Sequence, residues 1–321
     1  MSCCLPRALL LVILLSAGQA WASDAYPERD IRLVIPFGPG GATDVLMRTI
    51  AREAQPLLGV AIETVNLPGA GATRGSQAVR EAEPDGYTLL GSHQTLDLSF
   101  LAGVAPYSHE AFAPIALLTR TVNIPAARSG HVVQSADEVA DRVQQRPGEL
   151  RFGMIASSTD HFFWLQFFRE TGIAPEQVRL VRYPDTGSQV AALLAGEIDF
   201  AMLNLPSGGE LFRAGVLRPL GVAHERRLEA LPEVPTLREQ GIDLVNSTDR
   251  GLFAPLETPP EHLRRLAQAF EAALANRALT ERIEREFGSL VSFRPLGAYA
   301  DYLAERHAEL AVLADEMPFA D

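Results

Sequence analysis

A chain of 321 residues with 28 basic and 40 acidic side chains carries a net charge of −12, and every basic residue in it is arginine. That balance argues against a nucleic-acid partner, because such binding draws mainly on phosphate neutralisation and needs a basic stripe that is missing here. The length suffices for two lobes of typical domain size, each with its own core.

The chain begins with a segment that does not belong to the fold. Arg7 is followed by ALLLVILLSAG and then AWA (20–22), the small-x-small pattern of a secretory cleavage site, so residues 1–22 read as a leader to be removed. The apolar run is too short to span a bilayer. Both cysteines, Cys3 and Cys4, precede it, so the exported chain has neither a disulfide nor a lipid-attachment cysteine; losing Arg7 takes the charge from −12 to −13.

From there the pattern is strand, loop, helix, repeated. IRLVIP (31–36) is a β-rich run, and DVLMRTIAREAQPLLG follows at helical spacing. AIETVN (61–66) is a second strand, TRGSQAVREAE a second helix, and the turn at Asp85-Gly86 leads into a strand over 87–92. Helix ADEVADRVQQ, strand LRFGMI, helix HFFWLQFFRET, strand VRLVRY, helix SQVAALLAGE and strand IDFAML continue it. The end is mostly helical: PPEHLRRLAQAFEAALAN, LTERIEREFG and GAYADYLAERHAELAVLADE. Alternation of this kind implies α/β lobes with largely parallel sheets and helices on both faces. No long linker separates the lobes, so short irregular crossings are expected in TRTVNIPAARSG and GIDLVNSTDRGLFAP.

Two glycine-rich corners stand out, PFGPGGATD (36–44) and NLPGAGATRGS (66–76), each between a strand and a helix. Ligands of open α/β sheets sit beyond the carboxyl ends of strands, where helix N–H groups are unpaired and glycine lets a ligand approach the backbone. Two such corners could hold one carboxylate or phosphate without a basic side chain; equally, such turns often only make a tight bend, with Thr43 as N-cap. Neither corner is a phosphate-binding motif of the usual kind.

Catalytic and metal-binding patterns are missing. There is no G-x-S-x-G, no cysteine after the leader and no H-E-x-x-H, so no catalytic group, metal or cofactor is expected. His109, His131, His224, His262 and His307 read as solvated or locally bonded, whereas His93 and His161 sit where strand ends meet helix starts.

YPERDIRLVIPFGPGGATD, NLPGAGATRGSQAV and EPDGYTLL resemble the extracytoplasmic substrate-binding receptors of tripartite tricarboxylate transporters, the Bug-type proteins. So do PGELRFG, LLAGEIDFAM, LRPLGVAHERRLEALPEVPTLREQGI and GLFAPLETPPEHLRRL, in order, over the whole exported chain. The resemblance implies a two-lobed periplasmic binding protein of the type II class, each lobe a mostly parallel sheet flanked by helices. It implies a small organic carboxylate held in the cleft between the lobes and delivered to membrane permease subunits. Lobe 1 would be 23–122 with 248–321, and lobe 2 would be 123–247. Phe37, Gly40, Gly41, Thr43 and Asp44 match the family's first ligand loop; Asn66, Pro68, Gly69, Ala70 and Gly71 match the second. Ser92 and His93 at the third strand's end, with Ser157, Ser158, Thr159, His161, Asp185 and Thr186 in lobe 2, complete the candidate ligand-binding set. A monomer is expected, since a clamp must open and close freely.

Departures from the family pattern cluster in and after lobe 2. Ala72 replaces the last glycine of the second loop, Ala156, Ser157 and Ser158 replace a longer serine-glycine loop, and PDTGS follows Tyr183 where a basic residue usually stands. Asp249 and Arg250 stand where an aromatic residue normally precedes Gly-Leu-x-Ala-Pro. Gaining Asp185 makes that wall less favourable to a second carboxylate and favours a ligand with one carboxylate plus an amine, hydroxyl or ring nitrogen. A sensor that engages a receptor kinase, and a periplasmic hydrolase or lyase using Asp44, His93 and His161, are the alternatives.

Overall fold

The computed structural model describes residues 26–316; the leader expected at 1–22 lies outside them. The first part of the chain forms β1 (Ile31–Ile35), α1 (Ala42–Leu58), β2 (Ile62–Asn66), α2 (Thr73–Arg80), β3 (Thr88–His93), α3 (Thr95–Leu101) and β4 (Phe112–Val122). The middle forms β5 (Ile124–Arg128), α4 (Asp137–Gln145), β6 (Arg151–Met154), α5 (Thr159–Thr171), β7 (Arg179–Arg182), α6 (Thr186–Ala195), β8 (Phe200–Leu203), α7 (Leu205–Arg213) and β9 (Leu217–Pro219). The last part forms β10 (Ser247–Pro255), α8 (Pro260–Leu274), α9 (Arg277–Phe287), β11 (Ser289–Pro295) and α10 (Leu296–Glu316).

These strands make two sheets, β11-β4-β10-β3-β1-β2 and β7-β6-β8-β5-β9. The expected parallel order holds for β3-β1-β2 and for β7-β6-β8. Elsewhere the sheets are antiparallel, so each is mixed and not mostly parallel. β5 and β10, which flank the crossings between the sheets, run antiparallel to their neighbours, and β11 at the edge of the first sheet runs antiparallel to β4. Two segments read as irregular crossings are therefore strands: 119–130 holds the end of β4 and all of β5, and 241–255 holds β10. β10 is buried at every position between β3 and β4, so it shows no alternation, and its threonine, aspartate and arginine break the apolar run that would have marked it.

The helices are placed by their apolar stripes. α1 buries Leu46, Met47, Ile50, Ala51, Ala54 and Leu58 along one side and ends at Gly59, whose left-handed φ of 79° turns its N–H back to Gln55 O. That stripe joins Leu266, Ala269, Phe270 and Ile283 of α8 and α9 on one face of the first sheet. In the second half, α5 drives Phe162, Phe163, Trp164, Phe167 and Phe168 under the sheet, and Trp164 Nε1–H donates to Gly153 O at 3.0 Å. α10 packs Tyr299, Tyr302 and Leu303 against the first sheet, while its Leu310 and Leu313 enter the core beneath the second.

The chain crosses between sheets at Asn123 and Asn246, both buried. Asn123 N–H donates to Asn246 O, and the Asn123 amide donates to Asn246 Oδ1. Register fixes which sheet edges meet there: Arg250 near the start of β10 pairs with His93 at the end of β3, and Ile124 at the start of β5 pairs with Leu203 at the end of β8. The carboxyl ends of the parallel strands in both sheets therefore open toward the crossings. That is where ligands of α/β sheets bind.

Candidate functional site

The first glycine corner is held rigidly from below. Asp44 Oδ2 accepts Gly40 N–H at 2.9 Å, and its Oδ1 accepts Arg48 Nε–H at 2.7 Å and the Asn66 amide at 2.9 Å. Asn66 also donates to Phe37 O at 3.0 Å and receives Arg48 Nη2–H at 2.6 Å. Burial alone would raise the Asp44 pKa, but Gly40 N–H, Asn66 and Arg48 outweigh it and hold the carboxyl below its usual value. Asp44 and Asn66 therefore spend their polar atoms on fixing the loop, while Gly38, Gly40 and Gly41 are exposed at its crest. Gly41 is the N-cap position of α1, so no side chain caps the helix's first turn. Its first N–H groups are open to an anion.

The second corner is less open. Thr73 N–H and Arg74 N–H donate back to Ala70 O and Gly69 O, so the first turn of α2 is partly closed by its own loop. Pro68, Gly69, Ala70 and Gly71 are exposed, and Ala70 and Ala72 adopt left-handed φ values of 48° and 72°. Gly75 lets this helix sit against the first corner: a Cβ there would lie 2.8 Å from Leu67 O and 2.8 Å from Pro36 Cβ. The two glycine loops are thus packed together, as two corners serving one ligand require.

At the end of β3 the side chains separate. Ser92 pairs with Gly251, whose missing Cβ faces Tyr299 of α10, so Ser92 points away from α1, and its buried hydroxyl has no partner among the described residues. His93 lies on the other face, stacked on Phe37 with ring centroids 4.4 Å apart. Its Nδ1 accepts Thr95 N–H at 3.3 Å and approaches Thr95 Oγ1 at 2.9 Å. Burial first and Arg250 second hold its pKa well below the usual histidine value. The ring is therefore neutral, with Nδ1 accepting and Nε2 carrying the proton.

Arg250 is a buried cation that the candidate set above lacks. It is 3% exposed on central β10, donates from Nε to Thr43 Oγ1 at 2.9 Å, and donates from Nη1 to Thr121 Oγ1 and Thr248 O. No ion pair involves it among the described residues, because the neighbouring Asp249 points to the other face, where Arg120, Ser247 and Tyr302 hold it. Burial lowers the Arg250 pKa to about 10, so it stays charged at neutral pH. Its one sequence signal is an arginine where the resembling family has an aromatic residue.

In the second sheet the corner after β6 mirrors the first. Asp160 Oδ2 accepts Ile155 N–H at 2.9 Å and the Gln189 amide at 2.6 Å, while Oδ1 accepts His161 N–H at 2.9 Å and the Ser158 hydroxyl. No cation joins it among the described residues, and burial raises its pKa. Ser157 has a left-handed φ of 58° and donates its N–H to His161 Nδ1 at 3.3 Å; burial and Arg182 push the His161 pKa down to about 4. Ser157, Ser158 and Thr159 lie half-buried at the start of α5, which, like α1, begins without a side-chain cap. Asp185 is different: it is exposed and caps α6 by accepting Ser188 N–H at 2.8 Å, with Thr186 half-buried beside it. Asn204 caps α7 in the same manner, so the uncapped helix starts after β1 and β6 are those of α1 and α5.

A cavity of about 450 Å³ lined by His131, Arg142, Arg146, Glu149 and Arg179 lies at the starts of β6 and β7, the far end of the second sheet from the crossings. Among the described residues, Asp97, His109 and His307 form a three-residue group of metal-ligand types in which both imidazoles bond Asp97 Oδ1.

Two mixed sheets joined by two short crossings, with uncapped helix starts and glycine corners at the edges facing them, define a two-lobed binding protein with its ligand cleft between the lobes. Comparison with known proteins identifies which kind. Residues 46–292 match the family described as the tripartite tricarboxylate transporter family receptor, and the chain belongs to that family. BugT of Bordetella pertussis is 30% identical over 282 residues, covering 85% of this chain and 86% of that protein. MatC of Rhodopseudomonas palustris, solved with malate bound, superposes with a TM-score of 0.79 at 28% identity, covering 90% of this chain and 99% of that one. A second R. palustris protein, solved with adipate, gives a TM-score of 0.82 at 26% identity, covering 92% and 99%. The family consists of periplasmic solute-binding receptors that bind small carboxylates and work with transporter components. Among the described residues no helix is long and apolar enough to cross a membrane.

Proposed function

We propose that this chain captures a small organic carboxylate in the cleft between its two sheets and closes over it by rotation about the crossings at Asn123 and Asn246. The closed form is presented to membrane permease subunits of a tripartite tricarboxylate transporter in the periplasm, by a monomer from which residues 1–22 have been removed. Residues 23–122 with 248–321 form one lobe and 123–247 the other, with α10 reaching across both. The ligand lies against Phe37, Gly40, Gly41, Thr43 and His93 on one side and Ser157, Ser158, Thr159 and Thr186 on the other; Asp44 and Asn66 hold the first loop. No cofactor and no reaction take part.

The observation that carries this reading is the first turn of α1: an uncapped helix start, crested by exposed glycines and fixed by three hydrogen bonds to the Asp44 carboxylate. Such a turn binds an anion through backbone N–H groups and the helix dipole. An enzyme built on Asp44 and His93 is disfavoured, because Asp44 is spent on Gly40, Arg48 and Asn66, and His93 Nδ1 on Thr95.

A thermal-shift screen of the unfolded and refolded protein against mono-, di- and tricarboxylates tests it. A ligand at a hundred times its dissociation constant adds about 2.7 kcal/mol. At roughly 2–4 °C per kcal/mol, that raises the melting temperature by several degrees. A selective shift supports the receptor reading, and a flat response across all carboxylates contradicts it.

A further inference from the structure

Arg250 is buried on an inner strand of the first sheet as a cation without a counter-ion among the described residues. An arginine offers five N–H donors. Three hydrogen bonds are made here, one from Nε to Thr43 Oγ1 and two from Nη1 to Thr121 Oγ1 and Thr248 O, and Nη2 has no acceptor among the described residues. A buried charge is normally paired, because the loss of hydration is otherwise uncompensated. The charged groups on neighbouring elements are committed elsewhere: Asp249 to Arg120 and Tyr302 across the sheet, Asp44 to Gly40, Arg48 and Asn66.

Its surroundings are also positive or donor-rich. Through Thr43 the guanidinium touches the first turn of α1, the positive end of that helix dipole. His93, its cross-strand neighbour, is neutral and holds its proton on Nε2. An empty arrangement of two like-signed ends is unfavourable, and a single carboxylate placed among them is favoured by all three groups.

We propose that Arg250 is the ligand's counter-ion: a small organic acid sets one carboxylate directly against Nη2 of Arg250, beside the first N–H groups of α1 and His93 Nε2–H. This rests on the receptor reading above and deepens it. A backbone loop alone accepts any compact hydrogen-bond acceptor, whereas a buried guanidinium demands a formal negative charge. The ligand class is therefore organic acids bound by one ionised head, with amides and esters of the same skeleton rejected.

The test is isothermal titration of the refolded wild type and of Arg250→Met with malate, adipate, succinate and benzoate, with succinamide and benzamide as neutral counterparts, alongside the melting temperature of each ligand-free protein. The wild type should bind at least one acid at least a hundredfold tighter than its amide. R250M should lose at least a hundredfold in affinity for that acid, while its ligand-free melting temperature stays level or rises, because an uncompensated buried charge has gone. Unchanged acid affinity in R250M, with a lowered ligand-free melting temperature, would make Arg250 a structural strut and overturn the inference while leaving the receptor reading intact. Binding of none of the acids by the wild type would overturn both. Should R250M not be recovered folded, Arg250→Lys keeps the charge and loses the planar fork: a tenfold or larger loss of acid affinity supports the inference, and unaltered affinity overturns it.

Discussion

The corners after β1 and β6 solve one problem with different electrostatics. Each places an aspartate in the first turn of its helix, turns that carboxylate back onto a loop N–H, Gly40 in one and Ile155 in the other, and adds a side-chain amide as a second anchor, Asn66 or Gln189. Asp44 also has Arg48 beside it and is held below the usual carboxylate pKa, whereas Asp160 is buried, has only neutral partners among the described residues, and is pushed above it. The first corner is thus fixed as an ionised network. The second is fixed by a carboxyl whose charge burial opposes. A clamp benefits from this division: the first corner is shaped for an anion, while the second carries half-buried Ser157, Ser158 and Thr159 at its helix start.

The comparison is most easily broken at Asp44. Asp44→Ala removes the acceptor for three donors, one of them charged, and should cost about 2–3 kcal/mol, since hydrogen bonds to charged groups are the expensive ones to lose. Chemical denaturation would show this, together with loss of carboxylate binding; a change below about 0.5 kcal/mol, the size of an ordinary surface substitution, contradicts the pinned-loop account.

Packing between the glycine corners comes next. Gly75→Ala places a Cβ against Leu67 O and Pro36, neither able to swing aside, and overpacking of this kind costs about 1–3 kcal/mol. Ligand affinity should fall with it, because the two loops are forced apart; retained affinity would show that the second loop does not share the site.

Asp185 gives a smaller and sharper contrast. As the cap of α6 it should contribute about 1 kcal/mol, lost in Asp185→Ala and largely kept in Asp185→Asn. Dicarboxylate affinity should be the same in the asparagine variant. A tenfold gain there would return Asp185 to the ligand-facing role suggested by its gain beside Pro184, which stands where a basic residue is usual.

The pH dependence of stability separates the two aspartates. Asp44, with a lowered folded pKa, contributes stability that is present above its unfolded value near 3.8 and is lost as pH falls through the folded value. Asp160, with a raised folded pKa, acts oppositely: its contribution is present below 3.8 and is lost as pH rises through the folded value. Asp160→Asn should therefore flatten the decline of stability on the rising side, measured by denaturant titration from pH 4 upward. An identical pH profile in wild type and variant would contradict the assignment.

Much of this was legible in the chain. The glycine corners, the alternation of strand and helix, and the family likeness are all written in the sequence, because turns and apolar periods are local. The mixed sheets were not, because β10 is buried on both sides and carries Thr248, Asp249 and Arg250 where an apolar run would have announced it. Asp44 and Asn66 were visible as loop residues, but their inward orientation depends on Arg48, a helix residue one turn away whose partner cannot be read from sequence. Asp160 and Arg250 were missed as site-shaping residues for the same reason: their roles are set by Gln189 and Thr43, distant in the chain.

Closure is the most direct test of the central claim. Cys3 and Cys4 are the only cysteines and precede residue 23, so cysteines introduced at exposed Gln77 on α2 and Ala191 on α6 would carry spin labels at known sites alone. The distance distribution between them should be measured with and without the carboxylate that gives the largest thermal shift. The account predicts a shorter, narrower distribution when that ligand is present. An unchanged distribution in a protein shown to have bound it would contradict a clamp that closes between the two sheets.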